Sequence, residues 1–318
     1  MALLTPLAPA DADRVALAYD LGPVLAVEPL AAGSVNSNFF LTAARGRYFL
    51  RIYEEQRPAG VAFEWRLVAH LRAAGVPVPR RIEGPPPDAV LVADKPVGLF
   101  EAMGGFERCR RMVEPVHMAS VGEALARVHR ASEGFVIEGS DRFDAASLRQ
   151  RLDGVPLDAH PALAPAVARI RAALDAPSPT DLPRGIVHGD LFRDNVRWEG
   201  DTLLALLDWE SASSGVLIFD VAVVLLAWCW GDAFEWTLAR AFAQAYHRAR
   251  PLTDAERRGL GPVAAAACAR FATTRITDYY LRRGPGAPGY RDYGRFLARL
   301  DAVSHMREGE LAARLLDG

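Results

Sequence analysis

Four residues in one short stretch carry the chemistry open to this chain. From Arg184 to Glu210 the sequence reads R-G-I-V-H-G-D-L-F-R-D-N-V-R-W-E-G-D-T-L-L-A-L-L-D-W-E. It sets His188, Asp190 and Asn195 in the order H-x-D-x-x-x-x-N, and Asp208 closes a later apolar run. Two apolar runs, Val196–Trp198 and Leu203–Leu207, flank a turn at Glu199-Gly200-Asp201 and read as a hairpin. Asn195 then stands before one strand and Asp208 after the other, so a tight hairpin draws two acids and an amide together. Oxygen ligands of this kind suit a hard cation. Phosphoryl transfer from ATP needs such a set: one carboxylate to accept the acceptor's hydroxyl proton, and an Asp with an Asn to hold magnesium. Asp and Asn also form turns, and for a single pair a polar hairpin is the competing reading. A zinc site on His188 and Asp190 is a third; no second His or Cys stands nearby at ligand spacing.

The segments H-G-D-L-F-R-D-N and L-D-W-E resemble the aminoglycoside phosphotransferase and choline kinase family, which has a protein-kinase-like fold. Gly33–Leu50, F-D-V-A-V-V-L-L-A-W-C, R-P-L-T-D-A-E and A-R-F-A-T-T-R-I-T-D are similar to the bacterial homoserine kinases of that fold. The resemblance implies an α+β, two-lobed architecture, an antiparallel-sheet N-lobe followed by a mainly helical C-lobe. It implies ATP and Mg2+ as cofactors and a small-molecule hydroxyl as acceptor, L-homoserine first. An aminoglycoside, a choline-like alcohol and a protein Ser/Thr are the alternatives within the class. A nucleotide-binding module without catalysis is the alternative outside it.

Those residues need elements to position them. Pro9–Leu21 predicts a short helix with Asp11 as a cap. Val24–Leu30, a loop A-A-G-S-V-N-S-N, F-F-L-T-A, a turn at Arg45-Gly46 and R-Y-F-L-R-I-Y predict an antiparallel meander. The small residues Gly33, Ser34, Val35, Asn36 and Ser37 let backbone N–H groups approach phosphates. Pro58–Ala74 predicts a helix started by Pro and ended by Gly75, with Phe63, Leu67, Val68 and Leu71 as its apolar stripe. A kinase-like site needs a cation on the third strand and an acid on this helix. Arg51 and Glu64 stand there. The family usually carries Lys at that strand position, so Arg51 is a departure; the competing reading is a solvent-facing Arg on an edge strand. A-V-L-V-A and P-V-G-L-F-E-A-M add two strands. Met103-Gly104-Gly105 ends the first lobe, giving domains 1–103 and 104–318. By resemblance, Glu101–Met103 border the adenine.

The remainder predicts helices over Pro115–Ser132, Pro161–Ala176, Val216–Trp230, Asp232–Ala249, Thr253–Arg283 and Tyr290–Leu316, with a capping box at Thr253 and Glu256. His129 reads as a buried or capping histidine. Asp220 reads as a helix cap or, by resemblance, as the support of the catalytic loop. In the kinase reading Asp190 is the base, His188 orients the loop, Arg193 follows on the same loop, and Asn195 and Asp208 hold the metal. Arg193, Glu210, Arg275 and Asp278 are the candidates for an amino-acid acceptor. For Arg275 and Asp278, three apart on one helix face, a surface ion pair is the default reading, and substrate-side use is what the resemblance implies.

A chain of 318 residues, 51% apolar, accommodates two lobes, and a net charge of −2 argues against a nucleic-acid surface. Cys109, Cys229 and Cys268 are odd in number and far apart, which predicts reduced, buried thiols in a cytoplasmic protein. The N-terminus lacks the pattern of a signal peptide. The longest apolar stretch, Val221–Trp230, is too short for a bilayer, so no membrane partner is expected. Lys95 is the only Lys.

Overall fold

The computed structural model describes residues 4–30, 35–132, 135–136, 144–177, 179–287 and 289–317. It divides into two compact units. The first comprises Met1–Phe106 together with Arg197–Gly200 and Leu204–Glu210; the second comprises Glu107–Val196, Asp201–Leu203 and Ser211–Gly318.

In the first unit, helix α1 (Pro9–Ala18) precedes strands β1 (Val24–Leu30), β2 (Ser37–Ala43) and β3 (Gly46–Ile52). Helix α2 (Pro58–Ala73) and strands β4 (Leu91–Val92) and β5 (Lys95–Glu101) follow. The sheet runs in the order β1-β2-β3-β5-β4, with antiparallel neighbours throughout. Alternation along the strands divides its residues between two faces. Phe39, Leu41, Leu50, Ile52, Val97 and Leu99 pack with Ala12, Val15 and Ala16 of α1 in one core. The other face carries Asn38, Phe40, Phe49, Arg51 and Phe100. The register sets Asn38 opposite Arg51 and Phe40 opposite Phe49, with Phe49 in turn opposite Phe100. Strand β3 is therefore central, and Arg51 is not on an edge. Asp11 does not cap α1. The cap position is Ala8, and Asp11 pairs instead with Arg14 at 2.8 Å, one turn along.

The second unit holds α3 (Pro115–Arg130), α4 (Ala145–Asp153), α5 (Ala164–Asp175) and β6 (Arg184–Val187). Strands β7 (Val196–Glu199) and β8 (Thr202–Leu206) then form the expected two-stranded hairpin, most of which belongs to the first unit. Strand β9 (Ser213–Val216) pairs antiparallel with β6. Its sequence, S-S-G-V, carries no strand signal, and it takes Val216 from the predicted helix. The helices α6 (Ile218–Trp228), α7 (Trp236–Ala249) and α8 (Asp254–Thr274) follow, the last with the predicted Thr253–Glu256 capping box. A π-helical segment, Arg275–Tyr280, runs on into α9 (Leu281–Arg283). The expected terminal helix is two, α10 (Gly294–Ser304) and α11 (Glu310–Leu316). Gly309 separates them at φ 73°, a left-handed conformation that a continuous helix excludes. All three cysteines are free; Cys229 and Cys268 are buried, whereas Cys109 is exposed, ahead of a 3-10 turn.

Helices α3 and α7 cross closely at Gly122. A Cβ there would lie 2.5 Å from the Phe242 carbonyl oxygen, a backbone atom that cannot swing aside. Gly122→Ala is therefore expected to destabilise the protein by about 1–3 kcal/mol, the usual cost of overpacking. Gly60, exposed in α2 and followed by Val61, has only the Gln56 Cβ within reach of its own Cβ position, at 4.0 Å. Gly60→Ala is expected to stabilise by about 0.4–1 kcal/mol, chiefly by restricting the unfolded chain. Chemical denaturation of the two variants checks the opposite signs.

Candidate active site

The loop after β6 hangs from one buried carboxylate. Asp220, in the first turn of α6, accepts the backbone N–H of His188 at 2.6 Å and that of Gly189 at 2.8 Å. His129 Nε2 lies 3.3 Å from the same carboxylate, and its Nδ1 lies 2.6 Å from the Tyr246 hydroxyl. Burial pushes the Asp220 pKa up, but the hydrogen bonds from His129 and the Gly189 N–H outweigh that and leave it lowered. Burial lowers the His129 pKa, and its ring bridges Asp220 and Tyr246 as a hydrogen-bonding bracket. Arg270, buried in α8, donates to the Gly189 carbonyl from the other side. Gly189 itself sits at φ 78°, and a Cβ there would meet the Ser211 carbonyl at 2.9 Å. Both the helix-cap and loop-support readings of Asp220 predict a structural residue; the second describes its bonds.

The motif residues follow this support. His188 is fully buried, and its Nδ1 accepts the Asp190 backbone N–H at 3.3 Å. Asn195 Nδ2 donates to the Asp190 carbonyl at 2.8 Å, which leaves the amide oxygen as the atom suited to a cation. Arg193 donates to the Ala227 carbonyl at 2.5 Å, so its guanidinium is turned toward the end of α6.

In the first unit, Arg51 gathers the carboxylates. Its Nη1 lies 3.0 Å from Asp208 Oδ1 and 3.9 Å from Glu64 Oε1, and its Nε donates to Asn38 at 3.3 Å. Burial opposes its charge, but Asp208 and Glu64 more than offset this and raise its pKa. Glu64 is held in turn: Trp65 donates to the Tyr53 hydroxyl at 3.2 Å, and that hydroxyl donates to Glu64 at 3.3 Å. Its second oxygen is buried without a hydrogen-bond partner, and burial pushes the carboxyl up to about 7. Asp208 adopts φ 65°, a left-handed conformation rare for a non-glycine residue. Arg51, Glu64 and Asp208 line a cavity of about 160 Å³ whose walls include Phe40, Phe49 and Phe100. Glu101 and Met103 also line it.

Gly33 and Ser34 lie outside the described residues. Beyond them, the Asn36 amide donates to Glu210 at 2.5 Å and its oxygen accepts the Glu54 N–H at 3.1 Å. The Ser37 hydroxyl donates to Glu54 and accepts the N–H groups of Leu4 and Thr5. These two side chains are committed to the protein, and Val35 joins them to the loop. The single lysine, Lys95, pairs with Glu54 and ties the N-terminal segment down.

Of the acceptor candidates, Arg193 and Arg275 line one cavity of the second unit. Asp278 pairs with Arg151 at 3.1 Å, and Arg275 donates to the Asp292 carbonyl at 2.8 Å. The ion pair between Arg275 and Asp278 does not form. The wider π-helical turn rotates residues three apart off a common face. Glu210, in the first unit, accepts from the Asn36 amide. Sequence reasoning overlooked Arg270, although an arginine embedded in A-A-A-C-A-R-F-A is a signal of a buried polar contact. Among the described residues no group of three His, Cys, Asp or Glu side chains gathers, and His188 and Asp190 find no third zinc ligand.

Comparison with known proteins places this geometry. Residues 26–258 match the model of the phosphotransferase enzyme family. A homoserine kinase of Afipia carboxidovorans is 35% identical over 294 residues, spanning 90% of this chain and 89% of that protein. One from Rhodospirillum rubrum is 36% identical over 301 residues, spanning 90% and 91%. Among solved structures, amicoumacin kinase in complex with AMP-PNP and Ca2+ shares the fold. Its TM-score is 0.67 at 16% identity, over 91% of this chain and 90% of that one. A choline/ethanolamine kinase family protein from Mesorhizobium loti gives 0.65 at 21% identity, over 96% and 99%. No helix among the described residues is long and apolar enough to cross a membrane.

The carboxylates of the first unit carry a pH signature. Burial first, then the charge of Asp208, pushes Glu210 from 4.5 up to about 8. A carboxyl raised on folding favours the native state below its unfolded pKa, and that contribution is lost as pH rises through the folded one. The ligand-free protein should therefore lose thermal stability relative to Glu210→Gln between pH 4.5 and about 8. The Gln side chain can still accept from Asn36. Melting curves across that range would run parallel if Glu210 were not held protonated.

Proposed function

Since the chain belongs to the phosphotransferase enzyme family, whose fold it has, we propose that it is a homoserine kinase, transferring the γ-phosphoryl group of ATP to the hydroxyl of L-homoserine with Mg2+. The observation that carries the reading is the polar group Arg51–Glu64–Asp208, set at one wall of a cavity otherwise lined with phenylalanine. Apolar walls suit a purine, and a guanidinium between two carboxylates suits a phosphate chain beside a divalent ion. The acceptor is supported by the curated relatives, which are homoserine kinases over nearly their whole length.

In this reading Asp190 accepts the hydroxyl proton of homoserine, and His188 fixes the loop that carries it. Asn195 and Asp208 hold the magnesium ion, which when bound neutralises phosphate charge. The backbone of residues 33–37 covers the phosphates, and Glu101 and Met103 border the adenine. Arg51 stabilises charge as it redistributes during transfer. Glu64 restrains Arg51 through the short hydrogen-bond chain from Trp65 and Tyr53.

Turnover of ATP against L-homoserine, choline and an aminoglycoside tests the acceptor. Homoserine is expected to give the highest kcat/KM; preference for either cationic alcohol would overturn the assignment. Asp190→Asn should lower kcat by at least about 100-fold, within the span of acid–base contributions, while ATP binding is retained. ATP bound tightly by the wild type with no acceptor phosphorylated would mark a non-catalytic module instead.

Arg51→Ala should lower kcat by about 100-fold, the scale for removing one preorganised charge-stabilising group, with a smaller rise in KM for ATP. The variant should still fold, because Glu64, already raised to about 7, can take up a proton once its cation is gone. Arg51→Lys should recover activity in part, since a point charge lacks the bidentate fork. Steady-state kinetics decide. Wild-type turnover in Arg51→Ala would leave phosphate positioning to the loop backbone and metal alone.

A further inference from the structure

The second unit contains an open cavity of about 780 Å³, formed by residues 107–110, 192–194 and 290–292 with Arg275 and Arg295. Its walls carry six arginines but only three carboxylates, in a chain whose net charge is −2. The partners of these arginines show which charges are already met. Arg108 pairs with Asp201 at 2.6 Å, Arg110 with Glu235, and Arg291 with Asp194 at 3.7 Å. Arg193 has only the Ala227 carbonyl. Arg275 has the Asp292 carbonyl and the face of Phe296, at 4.4 Å from the ring centre. Among the described residues Arg295 is within ion-pair distance of no carboxylate. Behind it, Arg299 donates to the carbonyls of Leu226 and Arg295. Of the wall's own acids, Asp292 is occupied by the Gly294 N–H at 2.9 Å.

Carbonyl partners satisfy hydrogen bonds without cancelling charge. The crowding is unfavourable: burial, followed by Arg299, Arg291 and Arg295, lowers Arg275 to about 10. Burial and neighbouring arginines lower Arg299 to about 10 as well. A bound anion relieves this repulsion, and guanidinium forks match the two oxygens of a carboxylate. The wall at 192–194 begins two residues after Asp190, on the same loop.

We propose that this cavity is the acceptor's anion subsite, in which Arg275 and Arg295 clamp the carboxylate of the amino-acid substrate. The assignment rests on the homoserine reading above and adds what selects that acceptor. The same arginines repel choline, ethanolamine and aminoglycosides, whose charge is positive. The family fold is thereby restricted to an acceptor that carries an anion.

The test compares L-homoserine with 3-aminopropan-1-ol, which keeps the hydroxyl and the amine and lacks the carboxylate. Arg295→Met should raise KM for homoserine at least about tenfold, the scale of one charge-assisted hydrogen bond, with KM for ATP within twofold. It should leave kcat/KM for the amino alcohol unchanged or improved. Arg295→Lys should restore part of the loss, which a merely structural defect would not. Arg275→Met should act alike, and Arg295, whose side chain packs less deeply, keeps the test open if that variant misfolds. Unchanged KM for homoserine in Arg295→Met overturns the proposal. Should the wild type not phosphorylate homoserine, calorimetric titration with L-homoserine, L-aspartate and inorganic phosphate separates the two ideas. Binding of any of them that disappears in Arg295→Met upholds the anion subsite while the homoserine reading falls. No anion bound by the wild type overturns the subsite too.

Discussion

A single buried carboxylate fixes the catalytic loop of this phosphotransferase. An isolated ionised side chain in the interior costs far more than folding can supply, so it survives only where donors surround it. Asp220 has two backbone N–H groups and His129 around it, and its pKa stays low despite burial. The donors are the main chain of His188 and Gly189, immediately before Asp190. The geometry of the motif is thus set by backbone anchored to a helix, whatever the motif side chains do. The left-handed Gly189 and the Arg270 contact to its carbonyl complete the turn. The support reaches further back through Tyr246 to Arg250 and the buried Glu256, which also caps α8. One chain of hydrogen bonds therefore links loop, helix start and helix packing, and loss of any member leaves a buried polar group unmet.

The first unit solves a different problem with the period of a strand. Side chains that alternate across β2, β3 and β5 send aliphatic residues to the α1 core and three phenylalanines with Arg51 to the cavity. Gly98, opposite Arg51 on β5, leaves space that Tyr53 and Trp65 use, and those two hold Glu64. Burial and the neighbouring Asp208 carboxylate raise Glu64 and Glu210 into the range near neutrality.

Arginine carries almost all the positive charge of this chain, and the exception is instructive. Lys95 sits where one point charge suffices, between Glu54 and Thr5, away from the cavity residues. In both cavities, at Arg51 and around that of the second unit, the basic residue is arginine. Its fork permits one guanidinium to serve a carboxylate and a side-chain amide together, as Arg51 does with Asp208 and Asn38.

The sequence by itself determined the elements whose signals are local. The bounds of β1 match to the residue, Pro58 starts α2, the Thr253–Glu256 box starts α8, and the turn at Glu199-Gly200-Asp201 joins β7 to β8. The motif H-x-D-x-x-x-x-N was legible because its chemistry needs fixed residue types at fixed spacing. What it could not contain were relations between distant segments. Strand β9 exists because β6 offers it a ladder, and S-S-G-V has no propensity of its own. The π-helical turn that separates Arg275 from Asp278, and the break that splits the last helix, arise from packing and backbone geometry that a helical pattern does not encode. Asp220 and Arg270 read as a helix residue and an arginine among alanines until the fold brings both to Gly189. A side chain's identity is written in the sequence, whereas its partner, and hence its charge state and use, is decided by what the folded chain packs against it.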